Sequence, residues 1–148
     1  MPIHQITRFG LVNAYLVEED DGLTLIDTAL PRSEKAILAA AERLGRPIVR
    51  IVLTHAHQDH IGALDALHAA LPEAEVLISA RDARLLAKDM TLDPGEEKGK
   101  LRGGYPGAET KPTRTIGRPS RSAAARIAFS ERGSGVSMSV RPSSSSTR

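Results

Sequence analysis

The 148-residue sequence predicts an α/β (α+β) domain over residues 1–112, followed by a disordered tail over residues 113–148. Two observations carry this prediction. Short apolar runs rich in β-branched residues alternate with segments whose apolar residues recur at helical spacing, a pattern typical of helices packed on a sheet. The composition then changes near residue 110, and 10 of the 12 serines lie after it. The length suits one domain with one core.

The first predicted element is an antiparallel β-hairpin. Residues 11–17 and 23–27 are β-leaning apolar runs, and the turn-prone sequence Asp20-Asp21-Gly22 separates them. The sheet is therefore expected to begin with this hairpin.

An amphipathic helix is predicted over residues 34–44. Ser33 is the predicted N-cap, Glu34 lies in the first turn where the helix dipole favours an anion, and Gly45 is the predicted stop. Four apolar residues fall on one face of this helix: Ile37, Leu38, Ala41 and Leu44. That face is expected to pack against the sheet.

The next segments continue the alternation. Residues 48–53 form a nearly continuous β-branched run, which predicts a strand covered on both faces. Helical spacing resumes over residues 61–71, residues 75–79 read as a strand, and residues 80–89 read as a short helix. The predicted order is therefore ββαβαβα.

A cluster of metal-ligating residues follows the predicted strand 48–53. The sequence THAHQDH contains His55, His57, Asp59 and His60. In an extended backbone, side chains two residues apart project to the same side, so His55 and His57 can reach one ion. Imidazole and carboxylate donors suit zinc, and iron or manganese would also be accepted. The cluster therefore predicts a metal site.

The remaining two of the five histidines are given structural roles. His68 lies on a predicted helix face and His4 lies near the amino terminus. The chain has no cysteine, which excludes disulfides, thiolate metal sites and a cysteine nucleophile. Any metal site must therefore use His, Asp or Glu.

The sequences LTLIDTAL, with Asp27, and IVLTHAHQDHIGAL resemble the metallo-β-lactamase-fold hydrolase superfamily, over roughly residues 1–110. The resemblance implies the N-terminal half of an αββα sandwich with a metal site at its edge. It also implies that His55 and His57 bind one metal ion, and that Asp59 and His60 bind a second. Asp27 would lie behind the site and orient the ligands.

The chemistry implied by this resemblance is hydrolysis by a metal-bound hydroxide. Asp59 would also act in catalysis by holding or accepting a proton of the attacking water. The expected substrates are small molecules: esters, thioesters, lactones, β-lactams or phosphodiesters. The fold alone does not choose among them.

The sequence departs from the superfamily pattern in its later ligands. No histidine follows His68 and no aspartate follows Asp93, so four ligands are divided between two sites. The chain is thus expected to be truncated and weak or inactive as an enzyme. The alternative is a non-catalytic metal-binding or scaffold protein that a partner chain completes. Because of its uncovered sheet face, the segment 1–110 is expected to be unstable or to self-associate.

The tail differs from the domain in charge as well as composition. Residues 1–110 carry 12 Lys and Arg against 17 Asp and Glu, whereas residues 111–148 carry 8 against 1. The Ser, Arg, Pro and Gly bias predicts disorder. One hypothesis is that the reading frame is lost near residues 115–117, and the rival is a genuine basic appendage.

Nucleic-acid binding and membrane insertion are both disfavoured. The arginines of the tail are spread out, and Phe129 is the only aromatic residue there that could stack on a base. The amino terminus lacks the pattern of a secretory signal, and no apolar run approaches the roughly 20 residues of a membrane span. The sequence therefore predicts a cytoplasmic protein.

Overall fold

The computed structural model describes residues 1–95 and 103–116. Within these ranges the chain forms a six-stranded sheet, with the strands in sequence order, and four helices. The elements in chain order are β1 (Ile3–Arg8), β2 (Val12–Glu19), β3 (Gly22–Ile26), α1 (Glu34–Leu44), β4 (Ile48–Val52), α2 (Gln58–Ile61), α3 (Leu64–Ala70), β5 (Glu75–Ser79), α4 (Ala80–Leu86) and β6 (Arg114–Ile116).

The sheet is mixed. Strands β1, β2 and β3 pair antiparallel, and β3, β4, β5 and β6 pair in parallel. The predicted hairpin is confirmed as β2 and β3, with Glu19 opposite Gly22 at the turn. Strand β1 was missed because its residues alternate between exposed and half-buried positions, so it has no buried face to mark it.

Strand β6 lies inside the segment for which the sequence predicted disorder. It pairs with the end of β5, and the Thr113 N–H donates to the Val76 carbonyl at 2.8 Å. The sheet therefore extends to Ile116, beyond the predicted boundary at residue 112. A strand of three residues is too short to show a periodicity. The rest of the predicted tail, including its out-of-frame interpretation, lies outside the described residues.

The core lies between one face of the sheet and the helices. Each central strand contributes a fully buried residue to one cross-strand row, and these residues are Leu16, Leu25, Ile51 and Val76. Ile37 of α1 and Leu64 and Leu67 of α3 belong to the same buried cluster. Since full burial of such a side chain contributes about 1.5–3 kcal/mol, this layer fixes the helices on the sheet.

The opposite face carries a different row, made of Tyr15, Ile26, Val52 and Leu77. Beside it, Arg50 forms ion pairs with Glu19 at 2.7 Å and with Asp21. The face is thus part apolar and part charged. It is the face for which the sequence predicts self-association, and that stays a prediction.

Helix α1 begins and ends where the sequence predicts, but its N-cap differs. Ser33 has helical angles of φ −87° and ψ −12° and makes no side-chain capping bond. Its hydroxyl is instead buried with no hydrogen-bond partner. An extended backbone at the cap would bring the side chain onto the first free N–H groups, so the helical angles explain the loss. The predicted stop is confirmed, since Gly45 adopts the left-handed conformation at φ 65°.

The predicted helix over residues 61–71 is broken at Gly62, between α2 and α3. The Gly62 N–H donates to the Ala29 carbonyl at 2.8 Å. A Cβ at Gly62 would lie 2.5 Å from the Pro31 nitrogen and 2.6 Å from the Leu30 carbonyl carbon. The loop after β3 therefore packs directly on the backbone here. Among the described residues, no helix is long and apolar enough to cross a membrane.

This contact predicts a cost for Gly62→Ala. The added methyl group meets backbone atoms that cannot move aside, so we expect the free energy of unfolding to fall by about 1–3 kcal/mol in urea denaturation. Gly104→Ala is the matched control, because the nearest atom to its new Cβ is a flexible Gln58 oxygen at 3.9 Å. Equal losses in both variants would contradict the packing interpretation.

Candidate metal centre

The candidate centre lies at the carboxyl ends of β3 and β4. Asp27 directly follows β3, and the segment 54–60 follows β4. Because these strands are parallel neighbours, their carboxyl ends meet at one edge of the sheet, where such folds place ligand sites. The four predicted ligands and Asp27 are thus brought to one edge by two adjacent strands.

Asp27 accepts three hydrogen bonds from the segment that follows β4. Its Oδ1 accepts from the Thr54 N–H at 2.8 Å, and its Oδ2 accepts from the Thr54 hydroxyl and from His60 Nδ1, each at 2.7 Å. Asp27 is 5% exposed and adopts a left-handed φ of 57°. Asp27 is therefore a buried hydrogen-bond partner of His60, and its role in orienting metal ligands stays a prediction.

These bonds set the orientation of two imidazoles. The Thr54 hydroxyl has one hydrogen, which goes to Asp27, so its oxygen accepts from His55 Nδ1 at 3.0 Å. His60 Nδ1 donates directly to Asp27. In a neutral ring with Nδ1 protonated, Nε2 keeps its lone pair. The atoms that keep a lone pair for a metal ion are thus Nε2 of His60 and Nε2 of His55, and the latter lies 3.0 Å from His57 Nδ1 in a hydrogen bond.

The charge state of His55 also suits a ligand. Burial, and then the neighbouring His60 and His57 rings, lower the pKa of His55 below its ordinary value. Neutral imidazole is the form that binds metal ions. The local electrostatics therefore favour the ligating form of His55.

The four predicted ligands lie in two adjacent pairs. His55 Nε2 and His57 Nδ1 are 3.0 Å apart, and His60 Nε2 and Asp59 Oδ2 are 3.6 Å apart. Two nitrogens bound to one tetrahedral zinc at roughly 2.0–2.1 Å lie about 3.3 Å apart. Both separations are close to this value. The His55 and His60 rings join the pairs, with centroids 3.9 Å apart.

Each pair of donor atoms has a separation that suits zinc, but among the described residues no third side chain joins either pair to hold an ion. Within residues 1–95 and 103–116, no group of three or more His, Asp or Glu side chains is arranged to hold a metal ion. The His55 and His57 nitrogens face each other in a hydrogen bond, and Asp59 is half exposed. The two nitrogens of His55 and His57 thus lie close together, and their binding of one ion stays a prediction.

The other two histidines lie elsewhere. His4 on β1 pairs with Glu18 on β2 at 2.7 Å, and His68 lies in the last turn of α3. His68 Nδ1 is buried without a hydrogen-bond partner. The structural roles of His4 and His68 stay a prediction.

Sequence reasoning missed two groups of residues beside the histidines. Asp82 accepts from the Ala56 N–H at 3.3 Å, and Ser79 caps α4 by accepting from the Asp82 N–H at 3.0 Å. The spacing of Ser79 and Asp82 was a readable capping signal. Tyr105 packs on His57 with ring centroids 4.6 Å apart. It lies in a Gly-rich loop that carries no periodic signal.

A family model described as the metallo-beta-lactamase superfamily matches residues 7–137. The chain belongs to this superfamily. Uncharacterized protein YobT of Bacillus subtilis is 50% identical over 114 residues, which are 74% of this chain and 49% of that protein. The 148-residue chain thus spans about half the length of YobT.

The names of two other relatives of this chain state different activities. Hydroxyacylglutathione hydrolase of Gloeobacter violaceus is 33% identical over 57% of this chain and 34% of its own length. Coenzyme F420H(2) oxidase of Methanothermobacter thermautotrophicus is 41% identical over 43% of this chain and 17% of its own length. Both hydrolytic and redox chemistry therefore occur among its relatives.

Solved structures confirm the predicted fold class. BJP-1, a subclass B3 metallo-beta-lactamase of Bradyrhizobium japonicum, superposes with a TM-score of 0.53 and 29% identity. The match covers 72% of this chain and 39% of that chain. The described sheet and helices thus correspond to part of a metallo-beta-lactamase fold.

The hydrogen bonds of Asp27 predict that Asp27→Asn destabilises the fold. All three bonds to the carboxylate come from donors, so the amide nitrogen of Asn would face a donor. Asn tolerates the left-handed backbone, so no strain is added. We expect urea denaturation to show a loss of about 1–3 kcal/mol in the free energy of unfolding.

The matched control for Asp27→Asn is Asp59→Asn, which removes the same charge from a half-exposed side chain. We expect this control to change the free energy of unfolding by less than about 0.5 kcal/mol. Equal effects of the two substitutions would show that the buried hydrogen bonds do not carry the stability.

Proposed function

We propose that this superfamily member is a metal-dependent hydrolase in which His55 and His57 hold one zinc ion. Asp59 and His60 hold a second ion beside it. The observation that carries the proposal is the pairing of donor atoms at 3.0 Å and 3.6 Å, at the edge where β3 and β4 end. Iron or manganese would suit the same nitrogen and oxygen donors.

The protein groups have separate tasks in this proposal. Asp27 orients His60 directly and orients His55 through the Thr54 hydroxyl, so it acts behind the ligands. Bound zinc supplies a Lewis acid that activates water for attack on a carbonyl or phosphoryl centre. The Asp59 carboxylate, which is half exposed, would hold or accept a proton of that water.

The proposed substrates are small molecules with a hydrolysable acyl or phosphoryl bond. The names of two similar proteins, hydroxyacylglutathione hydrolase and the metallo-beta-lactamase BJP-1, support thioesters and β-lactams. Esters and lactones stay in the class because the same metal chemistry attacks their carbonyl centre. Phosphodiesters stay in the class because the same metal chemistry acts on them. The oxidase among the relatives shows that membership alone does not select hydrolysis.

A second candidate function rests on the number of ligands. No histidine follows His68 and no aspartate follows Asp93 in the sequence. Among the described residues, the proposal has two ligands for each ion. A catalytic zinc site ordinarily has three protein ligands and one open position. The second candidate is therefore a non-catalytic metal-binding protein whose site is completed by another chain.

The proposal predicts which histidines matter for zinc. Removing one of two ligands leaves a single donor, so His55→Ala and His57→Ala should each weaken zinc binding by more than about tenfold. His68→Ala is the control, since it deletes an imidazole on α3 that lies outside the candidate centre. A chelator competition assay on the full chain measures all three. Equal losses from the three variants would contradict the ligand assignment.

Hydrolysis discriminates between the two candidate functions. The zinc-loaded chain and a chelator-treated sample are assayed on chromogenic ester, thioester, lactone and phosphodiester substrates. If the chain is a hydrolase, the zinc-loaded sample should turn over at least one of these substrates. That turnover should be absent from the chelator-treated sample and from His57→Ala. Tight zinc binding without turnover would support the non-catalytic candidate.

A further inference from the structure

The segment 103–110 returns towards β6 and lies against the histidines. The Gln58 N–H donates to the Gly104 carbonyl at 3.1 Å. The Tyr105 ring meets the His57 ring edge-on, with an interplanar angle of 64° and centroids 4.6 Å apart. This geometry is the favourable one for an aromatic pair. The segment therefore contacts the start of α2 and one face of His57.

Gly103 also lies close against the His57 ring. A Cβ at Gly103 would lie 2.7 Å from His57 Nε2 and 2.9 Å from its Cε1, and the backbone φ is 104°. His57 Nε2 is buried and has no hydrogen-bond partner. On this side His57 is therefore confined by shape. His55 and His60, in contrast, are held through hydrogen bonds that lead to Asp27.

Asp65 on α3 fixes the far end of the segment. Its Oδ1 accepts from the Thr110 N–H at 2.8 Å and from the Thr110 hydroxyl at 2.6 Å, and its Oδ2 accepts from the Glu109 N–H at 3.1 Å. Burial acts to raise the pKa of Asp65, but these hydrogen bonds outweigh it and lower the pKa below its ordinary value. The carboxylate thus anchors the segment to the helix that follows the histidines.

From these contacts we infer that Tyr105 is a positioning residue for His57. Asp65 acts one step further away, because it holds the segment that carries Tyr105. The inference rests on the proposed function insofar as His57 is a zinc ligand. A ligand that lacks a hydrogen-bonded carboxylate depends on packing for its orientation, and loss of that packing lowers metal affinity.

The test uses the full chain with the substitutions Tyr105→Ala and Tyr105→Phe. The first readout is the nitrogen resonances of the His57 imidazole in the metal-free protein, and the second is the zinc dissociation constant. Tyr105→Ala should shift the His57 resonances and weaken zinc binding by about tenfold. Tyr105→Phe keeps the ring. It should leave the His57 resonances unchanged and the zinc dissociation constant within about twofold of that of the parent.

Tyr15→Ala is the control for the loss of a tyrosine elsewhere, because Tyr15 lies on strand β2. It should leave the His57 resonances unchanged. Unchanged resonances in Tyr105→Ala, or equal shifts in Tyr15→Ala, would overturn the inference. If the parent binds no zinc, the proposed function fails, and the metal-free resonances still decide the role of Tyr105.

Asp65→Asn provides a second route if Tyr105→Ala does not fold. This substitution keeps the side-chain volume but replaces the carboxylate, which accepts three hydrogen bonds from residues 109 and 110, with a neutral amide. The segment should loosen, and the His57 resonances should shift in the same direction as in Tyr105→Ala. Resonances identical to those of the parent would contradict a role for the Asp65 anchor.

Discussion

The Asp27 carboxylate joins the ends of two parallel strands, and the candidate centre depends on that junction. A buried carboxylate is costly unless donors surround it, and here Thr54 and His60 supply them. The three bonds therefore constrain each other, because losing any one leaves the buried charge less satisfied. Since Thr54 in turn receives the His55 Nδ1 bond, one carboxylate determines the orientation of two imidazoles. The loop after β3 adds a second tie, where Thr28 donates its N–H to the His60 carbonyl at 2.7 Å.

The imidazoles are held in two physically different ways. His55 and His60 are oriented by hydrogen bonds that lead to Asp27, whereas His57 packs between Gly103 and Tyr105. The bonds at Nδ1 of His55 and His60 place the proton on that nitrogen, so His55 Nε2 accepts from His57 Nδ1. To present Nδ1 to an ion, His57 would give up this bond and carry its proton on Nε2, which has no hydrogen-bond partner to lose. The arrangement combines two preset donors with one that is adjustable.

The sequence predicted the parts of the fold that local patterns determine. The histidine motif lies in a short segment after a strand with strong β-branched character, so strand and cluster could both be recognised. Contacts between distant segments were not readable. The break at Gly62 depends on the approach of Leu30 and Pro31 from another loop, and the contact of Tyr105 with His57 joins segments far apart in the chain. Strand β1 also escaped prediction, because its alternation lacks a fully buried face.

The proposed metal site consists of four residues of one short segment, His55, His57, Asp59 and His60. A zinc titration followed by the imidazole nitrogen resonances of the full chain tests it most directly, because the chain has only five histidines and each can be assigned. The resonances of His55, His57 and His60 should move on adding zinc, while those of His4 and His68 should not. If zinc moves the resonances of all five histidines equally, or leaves those of His55, His57 and His60 unchanged, the metal-ligand assignment is wrong.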